Sequence, residues 1–506
     1  MNNNLRDFYQ EHCFTGIYSS TVPHSFSVGG KISGALFAAG EIKDAIPIIH
    51  GPIGCGFHYR YNARRRYLPV YEAECTNLSE KDIIFGGADK LRETVLAVSR
   101  RYQPALIVVV PSTATDMIHA EIRGVLAELQ PLVASRLIAV ESEVFSHIDK
   151  NTKKRYFRQW LQHWDKPETL GREMEEYKGC GFGELMSALV RQVMQGQPVA
   201  SRTVNIEGFA WGAGGNLVIK GMVDTLRAIG IHTNCLLPNC TTADIVTAPR
   251  AQLNIVRRVR WAKGMQALFG TEYFPVTWPA GYQGLQGIVR LYRAIARHFD
   301  LEEQATAVLE RQREHTLAQL QPVREFLGRY RFTVYSRSFG NIPALLDTYG
   351  QDYGLPIHYI CLAIDQRRMR LAGSLPDTVE LGIRNIYNAL AKNGSKAQVI
   401  INPSAEELRE IMAATDYVLG GRELAAAWPD ARILADETLF TPFDFENYRK
   451  IAYDLAGKVK QAAPARGLML TKFGYNPLTY PLLDTPAVTS SHILWRKMWL
   501  LRGASS

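Results

Sequence analysis

Cys55 stands in the run His50-Gly51-Pro52-Ile53-Gly54-Cys55-Gly56, directly after the apolar stretch from Ala45 to Ile49. Two chemistries are open to a thiol on such a turn. With no side chain on Gly54 or Gly56, the thiolate can meet a bulky inorganic cluster without steric conflict, as a ligand to iron. It can equally be a small core cysteine, the commonest fate of a lone thiol. The chain has seven cysteines, Cys13, Cys55, Cys75, Cys180, Cys235, Cys240 and Cys361. Their odd number and wide spacing argue against a disulfide framework and for reduced thiols, some of them metal-bound. Cys235 and Cys240 stand near each other after an expected strand, but not at the Cys-x-x-Cys spacing of a zinc knuckle, and a structural role is expected for them. His147 follows a strand end, where open α/β folds gather function. It is a candidate proton donor near neutral pH, against the plainer reading of a satisfied loop histidine. Gly212-Ala213-Gly214-Gly215 looks like a phosphate turn but lacks the Lys-Ser/Thr of a P-loop, so no ATP site is expected in this chain.

The elements that must position these residues alternate β-rich runs with helical stretches. Ala105 to Val110 is fully apolar and β-branched, as suits a central parallel strand covered on both faces. Leu137–Val140, Thr203–Ile206, Phe332–Tyr335, Val399–Ile401 and Tyr417–Leu419 read alike. Helical patterns follow most of them, for example from Asn216 to Ile229 and from Ala405 to Ala414. Such alternation implies an α/β protein of doubly wound, Rossmann-like parallel sheets. Two boundaries suggest themselves, at Gln195-Gly196-Gln197-Pro198 and after the long charged helix from Leu301 to about Arg329. The expected organisation is an arm over 1–27 and three Rossmann-like domains over 28–200, 201–330 and 331–506, the last with a tail.

Composition narrows the class. At 506 residues the chain is too long for one core, and its 46% apolar content can bury a large one. The net charge of +9 is spread out, with local clusters such as Arg64-Arg65-Arg66. That excess suits a solvated surface, or steering of an acidic partner or anionic substrate. No recognition motif accompanies it, so nucleic acid is not expected as a partner. No apolar run is long enough to span a bilayer and the N-terminus is not a signal peptide, so a cytoplasmic protein without a membrane partner is expected.

Several segments, in order along most of the chain, resemble the nitrogenase component 1 family. His50 to Cys55 resembles the cluster-ligand loop of its alpha subunits, and Ala63-Arg64-Arg65-Arg66-Tyr67 follows at a similar place. Ser79-Glu80-Lys81-Asp82-Ile83-Ile84-Phe85-Gly86-Gly87 matches the family's acidic-Lys-Asp-apolar-Phe-Gly-Gly segment. Val204 to Gly208 with Trp211 to Gly215 resembles the opening of the second domain. Ala248 to Ile255 resembles a helix start that carries a cofactor ligand, and Phe443-Asp444-Phe445 resembles the third domain. The resemblance implies three nitrogenase component 1-like domains and an iron–sulfur cluster at the interface with a beta-like subunit. It also implies electrons from a separate, homodimeric, ATP-hydrolysing iron protein.

Departures from the family pattern limit what carries over. The family's cluster cysteine upstream of the Gly-Pro-Ile-Gly-Cys turn is replaced here by Val28-Gly29-Gly30-Lys31. The one after the buried strand is replaced by Pro111-Ser112-Thr113-Ala114-Thr115. Cys75 and Cys13 are candidate substitutes, each against the alternative of a structural cysteine. Where the family places a cofactor cysteine, this chain reads Val256-Arg257-Arg258-Val259, and an arginine has no lone pair to give iron. The third-domain histidine ligand is also missing from Leu434 to Phe440. An iron–molybdenum cofactor of that ligation is therefore not expected. A cavity there is left open to a small organic substrate, to a second complex iron–sulfur cofactor held by other groups, or to nothing. Arg64, Arg65 and Arg258 are candidates to line it and pair with an anion, against the alternative of a solvated face.

The function implied is that of an alpha-like subunit of a two-component, ATP-dependent reductase. Its small-molecule substrate would be other than dinitrogen, with carbon–sulfur cleavage in methylthio-alkanes one option. A cofactor-maturation scaffold and a metal-free structural paralogue are the alternatives.

Overall fold

The structure is a computed structural model. It describes residues 31–57, 73–140, 181–207, 215–256, 259–276, 282–336, 339–364 except 341, 377–421, 428–434 and 443–462, with a few isolated positions between. Cys13, Arg64, Arg65, His147, Cys180 and Arg258 lie outside the described residues.

Among the described residues, three separate parallel sheets run along the chain. The first has the order β2-β1-β3-β4, with β1 Ala45–His50, β2 Glu74–Cys75, β3 Leu106–Pro111 and β4 Arg136–Ala139. All six residues of β3 are buried, because helices cover both faces of the sheet. Successive side chains in a strand point to opposite faces, and the sequence uses this alternation. Leu106, Val108 and Val110 pack with Ile49 and Ile138 under α1 (Lys31–Glu41), with the later Gly181–Gln192 helix on the same side. Ile107 and Val109 pack with Ile48, Leu137 and Ala139 on the opposite side. There they meet α3, Ala88–Tyr102, which supplies Leu91, Val95 and Val98, and which the short α2, Glu80–Ile84, precedes.

The second sheet has the order β6-β5-β7-β8, with β5 Ala200–Glu207, β6 His232–Leu237, β7 Ala251–Val256 and β8 Glu272–Pro275. The third has the order β11-β10-β9-β12-β13, with β9 Phe332–Ser336, β10 Ile357–Leu362, β11 Gln398–Ile401, β12 Tyr417–Leu419 and β13 Ile433–Leu434. Every strand pair among the described residues is parallel, and the molecule is α/β with three Rossmann-like doubly wound sheets there.

The Phe443-Asp444-Phe445 segment has a packing reason. Asp444 caps the helix Phe445–Gln461, accepting from the Asn447 N–H at 2.8 Å, and any Cβ on Gly221 would collide with its carboxyl group. No helix among the described residues is long and apolar enough to cross a membrane.

Two expectations need correction. The stretch read as a helix start, Ala248 to Ile255, is a short 3-10 turn followed by the central strand β7, and the helix begins only at Val259. Its polar residues hid the strand: Asn254 is fully buried, accepting from Asn205 Nδ2 at 2.8 Å and donating to Met265 Sδ at 3.4 Å. Cys235 lies inside β6 rather than after a strand.

Candidate functional site at the end of the first sheet

Three strands of the first sheet deliver their C-terminal ends side by side. Ile49 pairs with Cys75 and His50 with Pro111, so the exits of β1, β2 and β3 meet at one place. This is where parallel sheets gather ligands, because the chain leaves the strands there and loops converge.

Hydrogen bonds fasten the exit of β1 from both sides. Thr76 N–H donates to Ile49 O at 3.0 Å, and Leu78 N–H to Gly51 O at 3.0 Å. Gly51 N–H donates to Thr76 Oγ1 at 2.9 Å. From the other side, Ser112 N–H donates to His50 O at 2.9 Å, and the Thr115 hydroxyl donates to the same oxygen at 2.8 Å. Gly51 is a requirement of this packing. A Cβ there would collide with the Ser112 side chain and would also lie 3.8 Å from Cys55 Sγ. Gly54, by contrast, faces open space, and no atom of the described chain would meet a Cβ on it.

Cys55 follows on the helical turn over 53–57, its N–H donating to Pro52 O at 3.0 Å. Its thiol is half-buried, as is that of Cys75. The Cys75 thiol donates to Gly51 O at 3.4 Å, which aims it at the same turn. Burial pushes the Cys55 thiol up, the nearby Cys75 sulfur pushes it further, and the Ser112 hydroxyl, in hydrogen-bonding reach, pulls it back. A bound cation would relieve both of the raising effects, since it favours thiolates over thiols.

His50 sits beneath, 1% exposed, with Nδ1 3.2 Å from Thr76 Oγ1. Desolvation lowers it to about 4, so it is a neutral imidazole at neutral pH. Its ring also sets the next turn: a Cβ on Gly87 would approach His50 Cε1 to 3.3 Å. Gly86 and Gly87 have φ of 90° and 66°, which only glycine adopts freely, and they turn the chain from α2 into α3. The acidic-Lys-Asp part of that segment is a capping box. Ser79 N–H donates to Asp82 Oδ2 at 2.8 Å and Asp82 N–H to Ser79 Oγ at 3.3 Å.

The rim is apolar and exposed. Ile84 and Phe85 are each 77% exposed after β2, Ile53 and Phe57 are exposed after β1, and Met117 and Ile118 after β3. All six follow the ends of strands of this one sheet.

Iron–sulfur iron takes thiolates, and Cys55 and Cys75 fit as two of them. Among the described residues no group of three or more His, Cys, Asp or Glu side chains is assembled to hold a metal ion. The structure thus brings together Cys55 and Cys75 of the thiols singled out in the sequence, beside Gly54 and Gly56. In the sequence Ser112 stands out only as a missing thiol, and neither His50 nor Thr76 is a candidate there. A signal for Ser112 was present: it follows a buried strand and precedes Thr115 at capping-box spacing.

Residues 31–432 match the family model described as nitrogenase component 1 type oxidoreductase. The chain belongs to this family. Among curated proteins it is 24% identical over 313 residues to the nitrogenase iron-molybdenum cofactor biosynthesis protein NifE of Methanococcus maripaludis, covering 60% of this chain and 57% of that protein. It is 25% identical over 271 residues to the nitrogenase molybdenum-iron protein alpha chain of Clostridium pasteurianum, covering 52% of this chain and 45% of that one. A shorter likeness, 31% over 107 residues, reaches the beta chain of Methanothermobacter thermautotrophicus, covering 20% of this chain and 23% of that one. The chain therefore spans roughly half the length of the first two relatives. The solved structure of nitrogenase Cp1 at pH 6.5 shares the fold, with a TM-score of 0.55 at 18% identity over 88% of this chain and 91% of that one.

Proposed function

We propose that this chain is the alpha-like subunit of a two-component, nitrogenase-like reductase that acts on a substrate other than dinitrogen. The observation that carries the reading is the convergence of Cys55 and Cys75 at a sheet end ringed by exposed apolar side chains. When bound, an iron–sulfur cluster supplies one-electron transfer at low potential. The chain's own part is to hold and shield it. Cys55 and Cys75 offer thiolates, Gly51 lets the turn lie against Ser112, and the cross-strand hydrogen bonds keep both sulfurs in place. Remaining ligands come from Cys13 or from a beta-like subunit seated on Ile53 and Phe57, and the Ile84–Phe85 corner receives the iron protein. His147 as proton donor, Arg64, Arg65 and Arg258 as anion-facing groups, a methylthio-alkane substrate, and domain boundaries near 200 and 330 belong to the same proposal.

A second reading is favoured by one observation. The likeness to the cofactor biosynthesis protein extends over 313 residues, in a chain whose sequence lacks the usual cofactor ligands. In that reading the chain is a scaffold that holds a precursor cluster. Anaerobic purification with the natural partner, followed by assays for iron and sulfide, tests the shared claim. Turnover with iron protein, ATP and reductant then marks a reductase, and transfer of the cluster to a second protein marks a scaffold. Absence of iron and sulfide overturns both.

A further inference from the structure

Among the described strands of the first sheet β4 is the outermost on its side, so one of its edges faces away from β3. In a strand, alternate residues serve the two edges. Arg136 N–H donates to Ala105 O and Val140 N–H to Val109 O, both at 2.9 Å, which joins β4 to β3. The backbone groups of Leu137 and Ala139, and the carbonyl of Ser135, therefore point outward. Such a row is a template for another strand, and Leu137-Ile138-Ala139-Val140 is an apolar run with no charge in it. Two glutamine side chains occupy the row. Gln130 Nε2 donates to Ser135 O at 2.9 Å, and its Oε1 accepts from Leu137 N–H at 2.9 Å. A residue of a parallel neighbour would make that pair of bonds. Gln192 Oε1 accepts from Ala139 N–H at 3.3 Å, and its Nε2 donates to Ala139 O at 2.9 Å. A residue of an antiparallel neighbour would make that pair.

The two glutamines arrive from opposite faces of the sheet. Gln130 follows the helix Ile122–Leu129, which packs on the side of Ile107 and Val109. Gln192 ends the helix Gly181–Gln192, on the side of Val108 and Val110. Both residues are exposed. Water could satisfy the backbone of a strand edge at the surface, and holding two long side chains in place costs rotamer freedom. What the amides add, and water does not, is exclusion of another strand. We infer that Gln130 and Gln192 stand in for a fifth strand and close the first sheet against pairing with a second copy of this chain. The inference is independent of the cluster reading above. It also means that a partner meets this sheet through side chains, not by extending it at β4.

The test uses the full-length chain, purified without air together with its natural partner. Two quantities are read for wild type, the double variant Gln130→Ala/Gln192→Ala and the double variant Gln130→Lys/Gln192→Lys. One is amide hydrogen exchange at single residues of β4, and the other is mass by light scattering over a range of concentrations. In the alanine variant the Leu137 and Ala139 amides exchange about tenfold faster, as loss of one hydrogen bond each allows, while Arg136 and Val140, bonded to β3, keep their rates. Species heavier than the wild-type assembly appear and grow with concentration. The lysine variant exchanges as fast at Leu137 and Ala139 but stays at the wild-type mass, because charges on an edge keep a second strand away. Should the alanine double variant fail to fold, Gln192→Ala alone, which opens only Ala139, is read in the same way. Unchanged exchange at Leu137 and Ala139 overturns the inference, since the glutamines then do not hold the edge in solution. Faster exchange with no heavier species overturns it as well, and makes the glutamines local supports only. Equal association in the lysine variant shows that the copies meet elsewhere and also overturns it.

Discussion

Two pairs of thiols, one in each of the first two sheets, meet opposite fates. Cys235 and Cys240 are 6% and 4% exposed, and Cys235 donates to Asn205 Oδ1 at 3.0 Å. A hydrogen bond with Cys240, then burial, push the Cys235 thiol well up, so it stays protonated and inert. Both pack in one apolar cluster with Trp261 and Met265. Cys55 and Cys75 touch that cluster only at its margin. They are half-buried and open on the Gly54 side, at a sheet end from which exposed apolar residues also leave. The lesson is that proximity of two sulfurs says little. What separates the two pairs is burial: Cys235 and Cys240 lie inside the core, while Cys55 and Cys75 stand at its margin at a sheet end.

The comparison breaks most sharply on Cys55→Ala. Iron in the anaerobically purified variant is expected to fall to background, whereas Cys235→Ala keeps its iron and loses only stability. Equal iron in Cys55→Ala and wild type would remove the distinction. Next in size is a pH effect confined to the first-sheet end. His50 is held at about 4, below the unfolded value near 6.5, so the unfolded chain takes up the proton first. Stability is full above about pH 6.5 and is lost as pH falls towards about 4, by roughly 3 kcal/mol in all. Denaturant titrations of His50→Gln should show that slope removed, and an unchanged slope would mean that His50 is not the buried group responsible.

A smaller effect probes the rim. Phe85→Asp should weaken docking of the iron protein at least about tenfold, as expected for an aromatic anchor, without lowering the melting temperature of so exposed a site. Undiminished docking measured by light scattering would place the partner elsewhere. Smallest is Ser79→Ala, which removes the capping box of α2 and should cost about 1 kcal/mol with iron content unchanged. Iron loss in that variant would show that the Ser79–Asp82 segment holds more than its own helix.

How far the sequence is legible follows the same division. β3 was plain because both faces are covered and six residues in a row could be apolar. β7 was not, because Gln252 and Asn254 interrupt the run, and the partner that satisfies Asn254 is Asn205, far away in the chain. β2 is two residues long and has no periodicity to read. At the site, Cys55 was legible from its glycine-rich turn. Cys75 was only a candidate until the Ile49–Cys75 register brought it beside that turn. Ser112 was legible as an absence, but its burial against Gly51 and its use of the cap come from strand pairing, which no local pattern encodes.

The most direct test of the central claim is an anomalous-scattering map at the iron edge from crystals of the complex grown without air. The account predicts an iron peak bonded to Cys55 Sγ, with Cys75 Sγ beside it, beneath a partner subunit that covers Ile53 and Phe57. An iron-free seam with the Cys55 thiol unligated would contradict it.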